Sequence, residues 1–324
     1  MSAHRTKSHR GRVLLILAAV AACFLLLVFD RQPHTEIVSV HGSMTAVVAV
    51  CVSGAPRSAA VLERFAASLL QHVVRPAATQ QHALFDIYIL MNDPAAEALL
   101  DRLLVGEPAV RRVVTPSAGG ATLGAQATED VAIARDHRAS MYGSAWHAER
   151  STNTLRMLHK LREVEALRAE SIATRGQGQA HSWVLRIRPD LELTAPLPLP
   201  PLDTSAGAVV RAYAPWLCEG EQLSSDQLLL LPADPTSRRG VDGGPLARLS
   251  HLYEPSRLSE AMMRSVPPSL YPERLVWHTL GRDLHAWPGS AEGRVGVRLL
   301  AADGSSRDPY AKLRADFPKC FGRA

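Results

Sequence analysis

Asparagine is almost missing from this 324-residue chain, occurring only as Asn92 and Asn153. Neither residue opens an Asn-X-Ser/Thr triplet, so N-glycosylation is not expected. No Cys-x-x-Cys, His-Glu-x-x-His, Gly-x-Ser-x-Gly or Gly-x-x-x-x-Gly-Lys-Ser/Thr pattern occurs either. Dithiol redox, zinc-protease, hydrolase-elbow and P-loop chemistry therefore have no local support. His159 and His251 have no partner at zinc-ligand spacing. Acidic residues are absent from the first twelve positions, which hold Arg5, Lys7, Arg10 and Arg12. Removing those four charges from the net +5 leaves +1 for the remainder, too little for a nucleic-acid-binding surface.

What is present is a globular composition, 47% hydrophobic and 21% charged, behind one long apolar run. Residues 13–29 form 17 apolar residues without a break, the short end of what spans a bilayer. No small-x-small cleavage site follows, and the basic flank lies on the amino side. The positive-inside rule then keeps residues 1–12 cytoplasmic and carries the rest across. The expected organisation is a basic tail (1–12), a transmembrane signal anchor (13–29), a short stem (30–43) and one luminal domain (44–324).

Inside that domain the pattern alternates between strands and helices. Residues 45–52 are a continuous apolar strand, of the kind buried on both faces of a parallel sheet. Ser53-Gly54-Ala55-Pro56-Arg57 then turns into a helix over 59–74, with Val61, Phe65, Leu69 and Val73 on one face. A strand, a small-residue turn and a helix start suit an anion. Strands at 85–91 and 110–114 flank a helix at 94–104, which predicts right-handed parallel βαβ units and an α/β fold. Residues 116–134 read as a loop over the site. A strong helix covers 152–173, strands follow near 208–213 and 228–232, and helical pieces near 259–264 and 272–284. The last forty residues read as short strands and loops.

The stretch that orders the rest is His181-Ser-Trp-Val-Leu-Arg-Ile-Arg-Pro-Asp190. Trp183, Leu185 and Ile187 alternate with Val184, Arg186 and Arg188, and Pro189 ends the strand because it cannot donate to the ladder. Asp190 therefore stands just past a carboxyl strand edge, where open α/β sheets bind ligands. Two guanidiniums and a carboxylate delivered together suit a phosphorylated ligand.

Taken in order, the Ser-Gly-Ala-Pro-Arg turn, the Leu155-Arg-Met-Leu-His-Lys-Leu161 helix and the Arg186-Ile-Arg-Pro-Asp190 strand end form a familiar series. Ser225-Asp226-Gln227 and Pro272-Glu273-Arg274-Leu275 complete it. The series resembles GT-A-like glycosyltransferases, among them relatives of the WavE lipopolysaccharide-synthesis proteins and type II membrane enzymes of the Golgi. The resemblance implies a mostly parallel twisted sheet with flanking helices. It also implies sugar transfer from a nucleotide-sugar donor to a glycan or glycoconjugate hydroxyl, in the Golgi or ER lumen. Many such enzymes hold Mn²⁺ or Mg²⁺ with Asp-x-Asp; here Arg188 replaces the first carboxylate and only Asp190 remains, so metal-bound and metal-free sites both stay open.

On this reading Ser53, Gly54, Arg57, Arg186 and Arg188 bind the donor. Asp190 takes metal, ribose or sugar, Asp226 orients the acceptor or acts as base, and Glu273 is a candidate general base. Each has a plainer alternative: a turn, a strand-end cap, or a carboxylate favoured by a helix N-terminus. His278 and His285 suit the core or surface, and the tryptophans suit buried packing before sugar stacking. Cys23 lies in the anchor run and Cys51 in a core strand, while Cys218 and Cys320 either pair or stay thiols. The competing functional reading is a membrane-tethered, inactive carbohydrate-binding or scaffolding domain.

Overall fold

The apolar run at 45–52 folds as β1 (Val47–Ser53), every residue of it buried. The structure is a computed structural model describing residues 46–55, 57–116, 148–174, 181–197, 199–200, 211–233, 244–264, 272–281, 284–287 and 295–321. The expected anchor at 13–29, the expected stem at 30–43 and all but Pro116 of the expected loop at 116–134 lie outside the described residues. Among the described residues no helix is long and apolar enough to cross a membrane.

After β1, helix α1 (Ala59–Leu69) runs through a π-turn (Leu70–Val74) straight into α2 (Arg75–Gln81). The helix thus passes the stop expected at residue 74. Pro76 has no N–H for the His72 carbonyl four residues back, and the Leu197 N–H supplies it instead at 2.8 Å. Strand β2 (Leu84–Leu90) follows, then α3 (Pro94–Leu104), capped by Asp93 Oδ1 accepting from the Ala95 and Ala96 amides. Next come β3 (Val110–Val114) and the long α4 (Ala148–Ala173).

Strand β4 (Trp183–Ile187) turns into β5 (Leu191–Leu193), and β6 (Ala212–Ala214), β7 (Leu217–Cys218), β8 (Leu223–Ser224) and β9 (Leu228–Pro232) follow. Helices α5 (Pro245–Ser250), α6 (Pro255–Arg264) and α7 (Pro272–Leu280) lead to β10 (Leu284–Ala286). The helix expected to reach 284 ends earlier because Gly281 turns left-handed, φ 52°. His285 is accordingly a strand residue, not a helical neighbour of His278. The C-terminal region adds β11 (Val297–Leu300), β12 (Ser306–Arg307) and the helix α8 (Ala311–Asp316), which the sequence did not suggest.

The main sheet has the order β10-β6-β9-β4-β1-β2-β3, and only β9 runs against the others. Alternation along each strand divides the core in two. Val48, Val50, Val52, Leu185 and Ile187 pack on one face with Leu62, Phe65 and Leu69 of α1 and Leu100 of α3. Ala49, Cys51, Val184 and Leu229 pack on the other with Leu155, Leu158, Leu161 and Val164 of α4. Helices α1 and α3 thus cover one face and α4 the opposite one. The crossovers change face between β1 and β4, which opens a crevice at their carboxyl ends.

Toward the amino end of β2, the fully buried Asp86 accepts from Arg111 at 2.9 and 2.6 Å, from Arg112 at 2.6 Å, and pairs with His181 Nε2 at 2.9 Å. Burial alone would raise the Asp86 pKa, but the His181 and Arg111 hydrogen bonds and the two arginine charges hold it below the usual range. Burial dominates at His181 and lowers its pKa despite Asp86.

Candidate functional site

Three strand exits meet at the crevice. At the first, β1 ends in the buried Ser53, and Gly54 passes so close to Pro189 that a Cβ there would stand 2.6 Å from the proline Cδ. At the second, the Met91 and Asn92 amides donate to Glu97 Oε1 at 2.7 and 2.9 Å, and Asn92 turns left-handed, φ 60°. Burial raises the Glu97 pKa, although those backbone donors oppose it. The Lys160 side chain of α4, only 5% exposed, joins the two exits: its Nζ donates to the Gly54 carbonyl at 2.8 Å and the Met91 carbonyl at 3.2 Å.

The third exit belongs to β4. The Arg188 N–H donates to the Gln227 carbonyl, and the Asp190 carbonyl accepts from the Leu300 N–H, so β9 and β11 fix the turn from both sides. Arg188 grips the Asp190 carboxylate with two bonds, Nε to Oδ1 at 3.0 Å and Nη2 to Oδ2 at 2.7 Å. Arg57 Nη2 reaches the same Oδ2 at 2.5 Å from 133 residues away. Burial of Asp190 would raise its pKa, but the Arg188 charge and hydrogen bonds, with those of Arg57, carry it below the usual range. Burial likewise works against charged Arg188; Asp190, then Asp226 and Glu273, outweigh it and raise its pKa.

Arg186 sits deeper on the same strand, 1% exposed, with Nε and Nη1 buried and no hydrogen-bond partner for either. Burial pushes its pKa down to about 10, against the attraction of Asp226; Arg188 adds to the depression, and Asp190 opposes it. Asp226 is buried just before β9, between Ser225 and Gln227. The Ser225 hydroxyl lies 3.4 Å from the Tyr310 hydroxyl and accepts from the Gln227 amide. Burial raises the Tyr310 pKa, and the charges of Asp226, Asp308 and Glu273 add to that. Glu273, in the first turn of α7, is tied to β8 by the Ser224 hydroxyl on its carbonyl at 3.5 Å.

Ser53, Gly54, Arg57, Arg186, Arg188 and Asp190 thus gather at the β1/β4 crevice. Asp226 and Glu273 lie near enough for Arg188 to sense both charges. Three further residues that sequence reasoning passed over shape the same place: Lys160, Glu97 and Tyr310. Only Lys160 left a trace, as a lysine between Met157 and Val164 on the buried stripe of α4. Trp183, Trp216 and Trp287 are core residues. Cys218 and Cys320 form a disulfide that ties β7 to the C-terminal turn, and Cys51 is a buried free thiol whose pKa burial raises.

A divalent ion does not fit this arrangement. Both oxygens of Asp190 are taken by guanidiniums, and among the described residues no group of three or more His, Cys, Asp or Glu could hold a metal. The set of charges is instead that of an anion cradle.

No family model matches the chain, and no curated protein matches its sequence. Among solved structures it is similar to mouse xyloside xylosyltransferase 1 in its apo form, with 13% identity over 81% of this chain and 99% of that one, TM-score 0.41. It is also similar to the galactosyltransferase LgtC in complex with donor and acceptor sugar analogs, with 16% identity over 74% and 72%, TM-score 0.35. The bifunctional glycosyltransferase WbbM in its apo form has 10% identity over 66% and 34%, TM-score 0.32. All three scores lie below 0.5, so the fold assignment rests on strand order and the functional reading on the chemistry of the site.

Proposed function

We propose that this chain is a nucleotide-sugar-dependent glycosyltransferase acting on a hydroxyl of a glycan or glycoconjugate. The observation that carries the reading is the cluster of buried Arg186 with half-buried Arg57 and Arg188 at the β1/β4 switch point. Open α/β sheets bind nucleotides there, and guanidiniums match phosphate oxygens bidentately. In the transfer, the bond from the anomeric carbon to the donor diphosphate breaks and its electron pair leaves with the phosphate oxygen. The acceptor oxygen forms the new bond, and its proton passes to a carboxylate. Arg57, Arg186 and Arg188 offset the charge that develops on the departing diphosphate, the step at which fixed electrostatics count most. Asp226 and Glu273 stand beside this cradle as the candidates to orient the acceptor and take its proton.

The basic-flanked run at 13–29 supports a single-pass type II anchor, with residues 44–324 in the Golgi or ER lumen. The Cys218–Cys320 disulfide supports an oxidising compartment independently of that run. The test is a thermal-shift screen of the full-length chain against UDP, GDP and CMP sugars, followed by detection of the transferred sugar. One donor class should raise Tm, and Arg188→Ala should remove the shift. A cooperatively melting protein that no donor stabilises would instead fit the inactive binding domain.

A further inference from the structure

We infer that Asp190 is an internal counter-ion that holds the diphosphate's place, and that the donor binds without a divalent cation by drawing Arg57 off Asp190. This deepens the transferase reading and rests on it for the diphosphate. The family resemblance points to a metal-holding carboxylate at this strand end, but the geometry assigns Asp190 a different task. Its Oδ1 is held by Arg188 Nε, and its Oδ2 by both Arg188 Nη2 and Arg57 Nη2. A cation entering here would have to displace two guanidiniums from the carboxylate and then lie beside them, at a cost in like-charge repulsion.

The two arginines are not held alike. Arg188 lies in the same β4–β5 turn as Asp190, its backbone is fixed by Gln227, and its two bonds use both carboxylate oxygens. Arg57 reaches in from the segment between β1 and α1, makes a single hydrogen bond to Asp190, and keeps its Nε buried without a hydrogen-bond partner. An anion at the crevice could supply that missing acceptor and a bidentate surface that Asp190, shared with Arg188, does not offer. Arg57 is therefore the group that exchanges partners, and Arg188 stays as the hinge of the site.

The reading reverses the expected effect of a substitution. A metal ligand changed to its amide weakens phosphate binding, whereas a competing counter-ion changed to its amide strengthens it. Isothermal titration of the full-length chain with inorganic pyrophosphate, in EDTA, measures this directly. Wild-type protein should bind, added Mn²⁺ in place of EDTA should not tighten binding, and Asp190→Asn should bind roughly threefold to tenfold tighter. Arg57→Gln should bind about tenfold weaker. Binding that requires Mn²⁺, weaker binding by Asp190→Asn, or no binding by wild type would each overturn the inference. If Asp190→Asn does not fold, the wild-type titrations with EDTA and with Mn²⁺ still decide. Sugar transfer seen only with Mn²⁺ sinks the exchange and leaves the transferase reading. Metal-free pyrophosphate binding without transfer from any sugar donor does the reverse.

Discussion

Gly54→Ala tests whether the close approach of the β1 and β4 exits positions the site. The added Cβ would lie 2.6 Å from Pro189 Cδ and 3.1 Å from its Cγ, where carbon atoms prefer about 3.5–4.0 Å. The proline ring is closed on its own backbone, so no rotamer change relieves the contact. Either exit must therefore move by about 1 Å. Lys160 holds the Gly54 carbonyl on one side, and Gln227 and Leu300 hold Arg188 and Asp190 on the other. Overpacking of this kind costs about 1–3 kcal/mol, a fall of several degrees in Tm. The effect on function should be larger, because a 1 Å displacement of a positioning group costs roughly 100-fold in rate. Gly220→Ala is the control: nothing lies within 4 Å of its Cβ position, and it should stay within about 0.5 kcal/mol of wild type. Thermal melts and donor titrations of both variants check this. A Gly54→Ala protein matching wild type in both would refute the claim that this contact sets the site.

Lys160→Met keeps the stem but leaves the Gly54 and Met91 carbonyls without their shared donor, so it should destabilise the fold by about 1–3 kcal/mol, read by denaturant melts, and weaken donor binding. His181 has a folded-state pKa below its unfolded value, so stability should fall as pH drops below about 6.5 and level off once the folded histidine protonates. Asp86, also lowered, should add a second loss below about pH 4, and melts from pH 8 to 3 should show His181→Gln losing the first step and, because the His181 bond helps hold Asp86 low, weakening the second. Cys218→Ser opens a loop of 102 residues and should cost about 4–5 kcal/mol under the chain-entropy account, measured by denaturant melts against the oxidised wild type.

Much of the fold was legible because local chemistry decides it. The helix at 94–104 was bounded correctly because Asp93 caps it and Pro94 suits its first turn, both local facts. Strands β1, β2, β3 and β4 were legible as short runs rich in β-branched and other apolar residues between turns. The insertion of β9 antiparallel between β4 and β6 was not, because its register depends on strands far away in sequence. The same division holds in the site. Pro189 ends its strand in plain view, so Arg188 and Asp190 could be placed at an edge. That Arg57 would meet Asp190 across 133 residues had no local signal, and neither did Tyr310 reaching Ser225.

Arg186 offers the clearest separation of a functional charge from a structural one. It is 1% exposed, makes no ion pair among the described residues, and keeps two guanidinium nitrogens buried without acceptors. Burying a guanidinium in that state costs free energy, and no hydrogen bond at those two nitrogens offsets the cost. Lys160 is equally enclosed, but two carbonyls depend on it. Removing Lys160 should therefore hurt the ligand-free fold, while replacing Arg186 with an apolar side chain of similar length should help it. Arg186→Met is expected to be neutral or up to about 3 kcal/mol more stable than wild type, and to lose donor binding. Denaturant melts of the ligand-free proteins measure the first effect and titration with the donor the second. An Arg186→Met protein that is clearly less stable than wild type would mark Arg186 as part of the scaffold and remove it from the anion cradle.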